Sequence, residues 1–156
     1  MTKVGVIGAR NLINFNGIET AVTYLDEAGT QEEYEPDILV VNGYTDNVLI
    51  SKWVKKLKKS GVAIINADER ELYNFLPGLS CEVLTYGFNP KACVTASSVT
   101  EDNGISLQVA VLRSFQSLAG KLILQQEFCV DLAQKDVNIA DVLASVVVSL
   151  LCADLE

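Results

Sequence analysis

The 156-residue sequence contains no histidine, and no other absence removes as much chemistry. Serine–histidine triads, imidazole acid–base catalysis and histidine-ligated zinc all need the missing ring. Cysteine does not stand in for it as a metal ligand: Cys81, Cys93, Cys129 and Cys152 are far apart and form no CxxC pair. Each lies among apolar neighbours (CEVLTY, KACVTA, EFCVDL, LLCADL), where a thiol serves as a small hydrophobe, so four buried free thiols are expected. Positive charge is scarce as well. Twelve Lys and Arg face twenty Asp and Glu, for a net charge of −8 and a pI near 4.5. Nucleic acids and anionic membranes are held through cationic side chains, so neither is an expected partner. The longest apolar run, VLASVVVSLLCA, is too short to span a bilayer. The amino-terminal run MTKVGVIGAR is short and interrupted by glycine, a strand rather than a signal peptide. A soluble, cytoplasmic protein is expected. No linker, repeat or low-complexity stretch divides the chain, so residues 1–156 are read as one domain.

What is present alternates strands with helices in the first half. KVGVIGA, DILVVNG, VAIINA and CEVLTYGF are apolar and β-branched without alternation. Strands of this kind are buried on both faces, as in a parallel sheet with right-handed crossovers. GIETAVTYLDEAG reads as a first helix closed by Gly29, VLISKWVKKLKKS as a second ended by Gly61, and ERELYNFL as a short third stopped by Pro77. On the second, Leu49, Trp53, Val54 and Leu57 form an apolar stripe that turns Lys52, Lys55, Lys56 and Lys59 mostly toward solvent. After Phe88 the pattern becomes more alternating. KACVTASSV, GISLQVAVLR and KLILQQEFCVDL, with turns at EDNG (101–104) and SLAG (117–120), predict an antiparallel meander. NIADVLASVVVSLLCADL closes the chain as a helix with Asn138 as N-cap. The fold class is therefore α/β: a mostly parallel open sheet flanked by helices, extended by the meander and closed by a carboxy-terminal helix.

Open α/β sheets place ligands at the carboxyl ends of their strands, and VVNGYTDNVL puts Asn42, Thr45 and Asp46 there. The first strand–helix turn, GARNLINFNGIET, is neither GxGxxG nor GxxxxGK[ST], and Glu19 stands where a phosphate loop carries lysine. Helix-start amides near Gly17, assisted by Arg10, are the remaining anion-binding option there. Glu32, Glu33, Glu35 and Asp37 lie in a connector and are expected to be solvated, and Glu101-Asp102 belongs to a hairpin turn. Asp68 directly follows a strand end in IINADE, and is read either as the cap of ERELYNFL or as a ligand contact.

Three stretches, taken in order, resemble the central domain of the Mur ligase superfamily, the ATP-dependent peptide-bond-forming enzymes of cell-wall synthesis and their folate and cyanophycin relatives. PDILVVNGYTDNVL resembles that family's strand leading into Asn-x-x-x-Asp-His-Leu. GVAIINADE and VLTYGFNPKACVTASSV resemble its Asn-x-Asp-Asp strand end and its Thr-Tyr-Gly strand. NIADVLASVVVSL resembles the helix that begins His-Asn-x-x-Asn-x-Leu-Ala-Ala. The resemblance covers residues 36 to 150. It implies a nucleotide and magnesium site at the loop of Asn42 and Asp46, with Asn66 and Asp68 near the adenine and ribose, and it matches Gly87 to the turn after the Thr-Tyr-Gly strand. It also exposes departures. Asn47 and Val137 stand at the two histidine positions, Asp141 replaces the second asparagine of the closing helix, and the phosphate-loop lysine is missing. No particular lysine of the second helix can be matched to the one that the family carbamylates. Between Gly17 and Pro36 a helix and a connector leave no room for a magnesium-binding glutamate, and the family's flanking domains are not expected in this chain.

Ligation needs phosphate cradling and charge neutralisation together. A non-catalytic Mur-ligase-like domain is therefore expected, without a cofactor, acting by self-association or through a protein partner in a cell-wall or cell-division setting. The alternative is a small-molecule or nucleotide-binding module that keeps an adenine or anion pocket at Asn42, Asp46, Asn66 and Asp68; an unrelated enzyme reusing the cleft is a third reading. A homodimer is the expected assembly, because the apolar residues from Val142 to Leu151 occupy too many directions for one sheet face to bury.

Overall fold

The computed structural model describes residues 1–9, 12–13, 20–25, 33–43, 47–72, 78–101, 104–133 and 137–153. Six strands come first or are interleaved with one helix: β1 (Thr2–Ile7), β2 (Thr20–Tyr24), β3 (Ile38–Val41), helix α1 (Asn47–Lys56), β4 (Val62–Asn66), β5 (Glu82–Tyr86) and β6 (Val94–Thr100). They are followed by β7 (Ile105–Val111), the short pair β8 (Phe115–Gln116) and β9 (Leu122–Ile123), β10 (Gln126–Leu132) and helix α2 (Ile139–Leu151). Eight strands make one sheet in the order β10-β7-β6-β5-β4-β3-β1-β2. The β1–β2, β1–β3, β3–β4, β4–β5 and β5–β6 pairs are parallel, and β6–β7 and β7–β10 antiparallel.

The apolar strands are buried on both faces, as their sequence requires: every residue of β3 and β4 is buried. Alternate residues feed two cores. Val4, Val6, Ile38, Val40, Ile64 and Leu84 point to the side covered by α2. Ile7, Leu39, Val41, Ala63 and Ile65 point to the side covered by α1, where Ile50 and Trp53 bury the helix's stripe. Leu49, Val54 and Leu57 flank that stripe half-buried, and Lys52, Lys55 and Lys59 are exposed as expected, while Lys56 is half-buried. Lys52 and Lys56 set their ammonium groups 5.1 and 5.4 Å from the Trp53 ring centroid, so the basic helix face also shields its aromatic anchor.

Four expectations are corrected. The segment read as the first helix contains a strand: Thr20–Tyr24 pairs in parallel with β1 from Thr2↔Thr20 to Val6↔Tyr24. TAVTY is rich in β-branched and aromatic residues, and the free edge of β1 offers it a ladder that outweighs helical periodicity. Gly17 and Gly29 lie outside the described residues, and with this strand in place the premise about room for a magnesium-binding glutamate lapses. Second, Cys129 is exposed, on the outward side of edge strand β10, while Cys152 is buried and Cys81 and Cys93 half-buried, all four free. Third, Asp37 is no solvated connector residue. Its carboxylate accepts the Lys3 backbone N–H at 2.8 Å and pairs with Lys58 Nζ at 3.0 Å, fastening β1 to the turn after α1.

The fourth correction concerns α2. Asn138 caps it as expected, its carboxamide oxygen accepting from Ala140 N at 2.9 Å and Asp141 N at 3.4 Å. Val142, Leu143, Ala144, Val146, Val147 and Leu151 are buried inside this one chain. The sheet from β4 to β6, the meander residues of the same core and the β8–β9 hairpin (Leu118 N donates to Leu151 O at 2.8 Å) cover the helix, so more than a single flat face receives its apolar side chains, while Val148, Ser149 and Leu150 stay half-buried. The predicted meander is present, with EDNG between the antiparallel β6 and β7 and SLAG between β8 and β9. KLILQQEFCVDL is split into β9 and β10, and of the predicted helix ERELYNFL the described part is a short turn at 70–72.

Candidate functional site

The carboxyl ends of β1, β3, β4 and β5 meet the first turn of α2 in a cluster of buried polar groups. Asn42, the residue after β3, is its centre and is 7% exposed. Its backbone N–H donates to Ile7 O at 2.8 Å and its carbonyl accepts from Asn66 Nδ2 at 2.9 Å. Its side-chain Nδ2 donates to Asp141 Oδ1 at 3.0 Å and to Gly8 O at 3.3 Å, while Oδ1 accepts from the hydroxyl of Tyr86. Two acceptors on one side and a phenol on the other fix which end of the amide is which. One asparagine thus ties together the ends of three other elements and the closing helix.

Tyr86 is fully buried. Loss of solvent pushes its phenol well above the usual 10.0, and the carboxylates of Asp141, Asp68 and Glu69 push the same way. The phenol is therefore a neutral donor, which is what Asn42 Oδ1 requires. Asp141 is fixed through its main chain as well: its carbonyl accepts from Ser145 Oγ at 2.7 Å, and that hydroxyl oxygen accepts from Ile13 N at 2.8 Å. Asn66 spends its second group locally, Oδ1 accepting from Asp68 N at 2.9 Å. Asp68 is exposed, but both carboxylate oxygens are engaged: Oδ2 accepts from Phe88 N at 2.8 Å and Oδ1 from Asn89 N at 3.0 Å. It caps the β5–β6 turn, not the segment that follows it. Gly87 makes this possible. At φ +148° a Cβ there would stand 2.8 Å from the Asp68 carboxylate.

Of the four expected site residues, Asn42 and Asn66 are brought into direct contact and Asp68 adjoins them. Asp46 lies outside the described residues, as do Thr45, Arg10 and Glu19. Sequence reasoning missed Tyr86 and Asp141 as members of the cluster. Both were legible as parts of the Thr-Tyr-Gly strand and the closing-helix pattern, but nothing local says that a strand's last residue and a helix's first turn meet. Among the described residues no group of three or more Cys, Asp or Glu gathers as a metal site would need. Two clefts, of about 730 and 640 Å³, open at the other end of the sheet, before β4 and β5.

The Tyr86 phenol carries an alkaline signature. Its folded pKa is raised, so the stability tied to its proton is present in full below the unfolded value of 10.0 and is lost as pH rises from there toward the folded value. Urea midpoints are expected to fall steeply above that pH and to fall less steeply in Tyr86→Phe, with the Tyr34 phenol and the Cys81 and Cys152 thiols, also raised by burial, common to both proteins. Parallel slopes would contradict the burial of this proton.

No family model and no curated protein matches the sequence. Solved structures do. The fold is that of a Mur-ligase-like α/β domain, and three of these structures illustrate it. MurF from Acinetobacter baumannii superposes with a TM-score of 0.62 at 12% identity, over 93% of this chain and 41% of that one. MurF ligase from Thermotoga maritima in complex with ADP gives 0.59 at 12% identity, over 96% and 44%. A murein peptide ligase from Psychrobacter arcticus gives 0.55 at 12%, over 74% and 24%. The chain thus spans less than half the length of these ligases. Among the described residues no helix is long and apolar enough to cross a membrane.

Proposed function

We propose that this domain is non-catalytic and acts by association, with a second copy or with a protein partner, in a cell-wall-related setting. Support for the setting comes from the murein ligases that share its fold. The observation that carries the reading is the hydrogen-bond cluster of the described residues: Asn42, Asn66, Tyr86 and both oxygens of Asp68 bond to one another, to Asp141 or to nearby backbone. A nucleotide with its metal needs donors and carboxylate oxygens that turn outward, and the described residues at this sheet edge do not fit that pair. Gly8 adds a steric reason. At φ +80°, a Cβ on it would come within 2.4 Å of Gly43 N, so the β1 and β3 loops meet backbone to backbone between the strand ends.

Purified protein is expected neither to hydrolyse ATP nor to join amino acids to UDP-muramyl acceptors. Turnover that survives purification and is lost in Asp46→Ala would sink the reading. The small-molecule alternative is separated by thermal shift with nucleotides and UDP-sugars, because a ligand at a hundred times its dissociation constant adds about 2.7 kcal/mol. Sedimentation at micromolar concentration separates the two arms of the proposal: a dimer places the contact between copies, a 16.9 kDa monomer with a partner. The buried face of α2 is not available for either contact, while Val148, Ser149 and Leu150 are half-buried.

A further inference from the structure

We infer that the trough at the amino edge of the sheet is a docking site for an acidic, leucine-bearing peptide segment of a partner protein. This rests on the association reading above and supplies its surface. The larger cleft lies between the end of α1 and the chain entering β5, and the smaller one continues it toward the β8–β9 hairpin; the two share Lys59, Ser80 and Cys81. Together they form an extended channel, which suits a stretch of chain better than a compact ion.

Charge selects the occupant. In a protein of net charge −8, the larger cleft is lined by Lys55, Lys58 and Lys59 and by no Asp or Glu among the described residues. Lys58 is partly neutralised by Asp37 at 3.0 Å, which leaves Lys55 and Lys59, both exposed, as the main cationic contacts. The rest of the surface is apolar or hydroxylic. Val54, Leu57 and Leu79 lie beside the lysines, and Leu122, 55% exposed, rims the smaller cleft near Phe115. Among the described residues Glu82 is the acidic one of the smaller cleft, so the peptide's carboxylates belong at the lysine end and its apolar side chains toward Leu122. A nucleic acid could use the lysines, but the overall charge opposes it.

The probe is a fluorescein-labelled peptide of alternating glutamate and leucine, followed by anisotropy against the intact protein. Saturable binding is expected, weakening as salt is raised, and at least about tenfold weaker in Lys55→Glu/Lys59→Glu, since each exposed charge contributes up to about fivefold and reversal adds repulsion. Leu122→Ser is expected to weaken it separately. Both variants alter exposed side chains, and an unchanged thermal midpoint shows that they fold. Equal binding by the double variant, equal binding of a lysine–leucine peptide, or no binding overturns the proposal. Displacement by inorganic pyrophosphate alone, with no effect of Leu122→Ser, overturns the peptide in favour of a simple anion site, and preferential binding of a single-stranded oligonucleotide overturns it in favour of nucleic acid. None of these outcomes bears on ATP turnover, so the association reading fails or stands by its own assay.

Discussion

Val147→Asp is expected to abolish cooperative folding and not merely to separate subunits. Read as surface, Val147 would be a position at which a charge splits a dimer; it is instead completely buried among α2's neighbours. An unpaired carboxylate there costs several kcal/mol even after its pKa rises to neutralise it, and a domain of this size holds only about 5–15 kcal/mol in total. Circular dichroism against urea is the direct check. A variant that keeps a native midpoint within about 1 kcal/mol of the parent would mean that this face of α2 is open, and would restore it as a candidate interface. Val148→Asp, one residue on and only partly buried, is the matched control and is expected to be much milder.

Asn42→Ala is the second large effect. The substitution removes the amide that donates to Asp141 and Gly8 and accepts from Tyr86. A buried polar group that loses a partner costs about 1–3 kcal/mol, and this side chain meets three such groups, so a loss of at least about 2 kcal/mol is expected. A residue retained for a ligand would behave differently: its loss would change binding and leave the apo protein nearly as stable. Tyr86→Phe alone is expected to cost about 1–3 kcal/mol, and the double variant clearly less than the sum, since both changes break one network. Strict additivity, or a stability loss in Asn42→Ala below about 1 kcal/mol, would show that the cluster does not act as a structural unit.

These two sites mark what can and cannot be read without the fold. The parallel strands, the meander with its SLAG turn, the Asn138 cap and the stripe of α1 were legible because each depends on neighbours within a few residues: period, β-branching, turn chemistry and capping are local. Together with the ordered motifs they also led to the Mur-ligase-like fold. TAVTY shows the limit of that locality. Its periodicity suited a helix, but the free edge of β1 made it a strand, and no residue within the segment reports that an edge is free.

The site divides along the same line. Composition alone removed histidine chemistry, and the sequence alone named Asn42, Asn66 and Asp68. Only the tertiary structure shows what those groups touch. A side-chain amide offers the same donors and acceptor to a nucleotide or to a neighbouring residue, and the choice depends on what stands about 3 Å away. Here it is Asp141, ninety-nine residues along the chain, together with Tyr86 and the backbone of Gly8. Likewise the apolar circumference of α2 was evident from its sequence, but whether a second molecule or the chain's own sheet and hairpin cover it depends on long-range packing. That packing buries Val142, Leu143, Val146, Val147 and Leu151 within the chain and leaves Val148 and Leu150 half-buried.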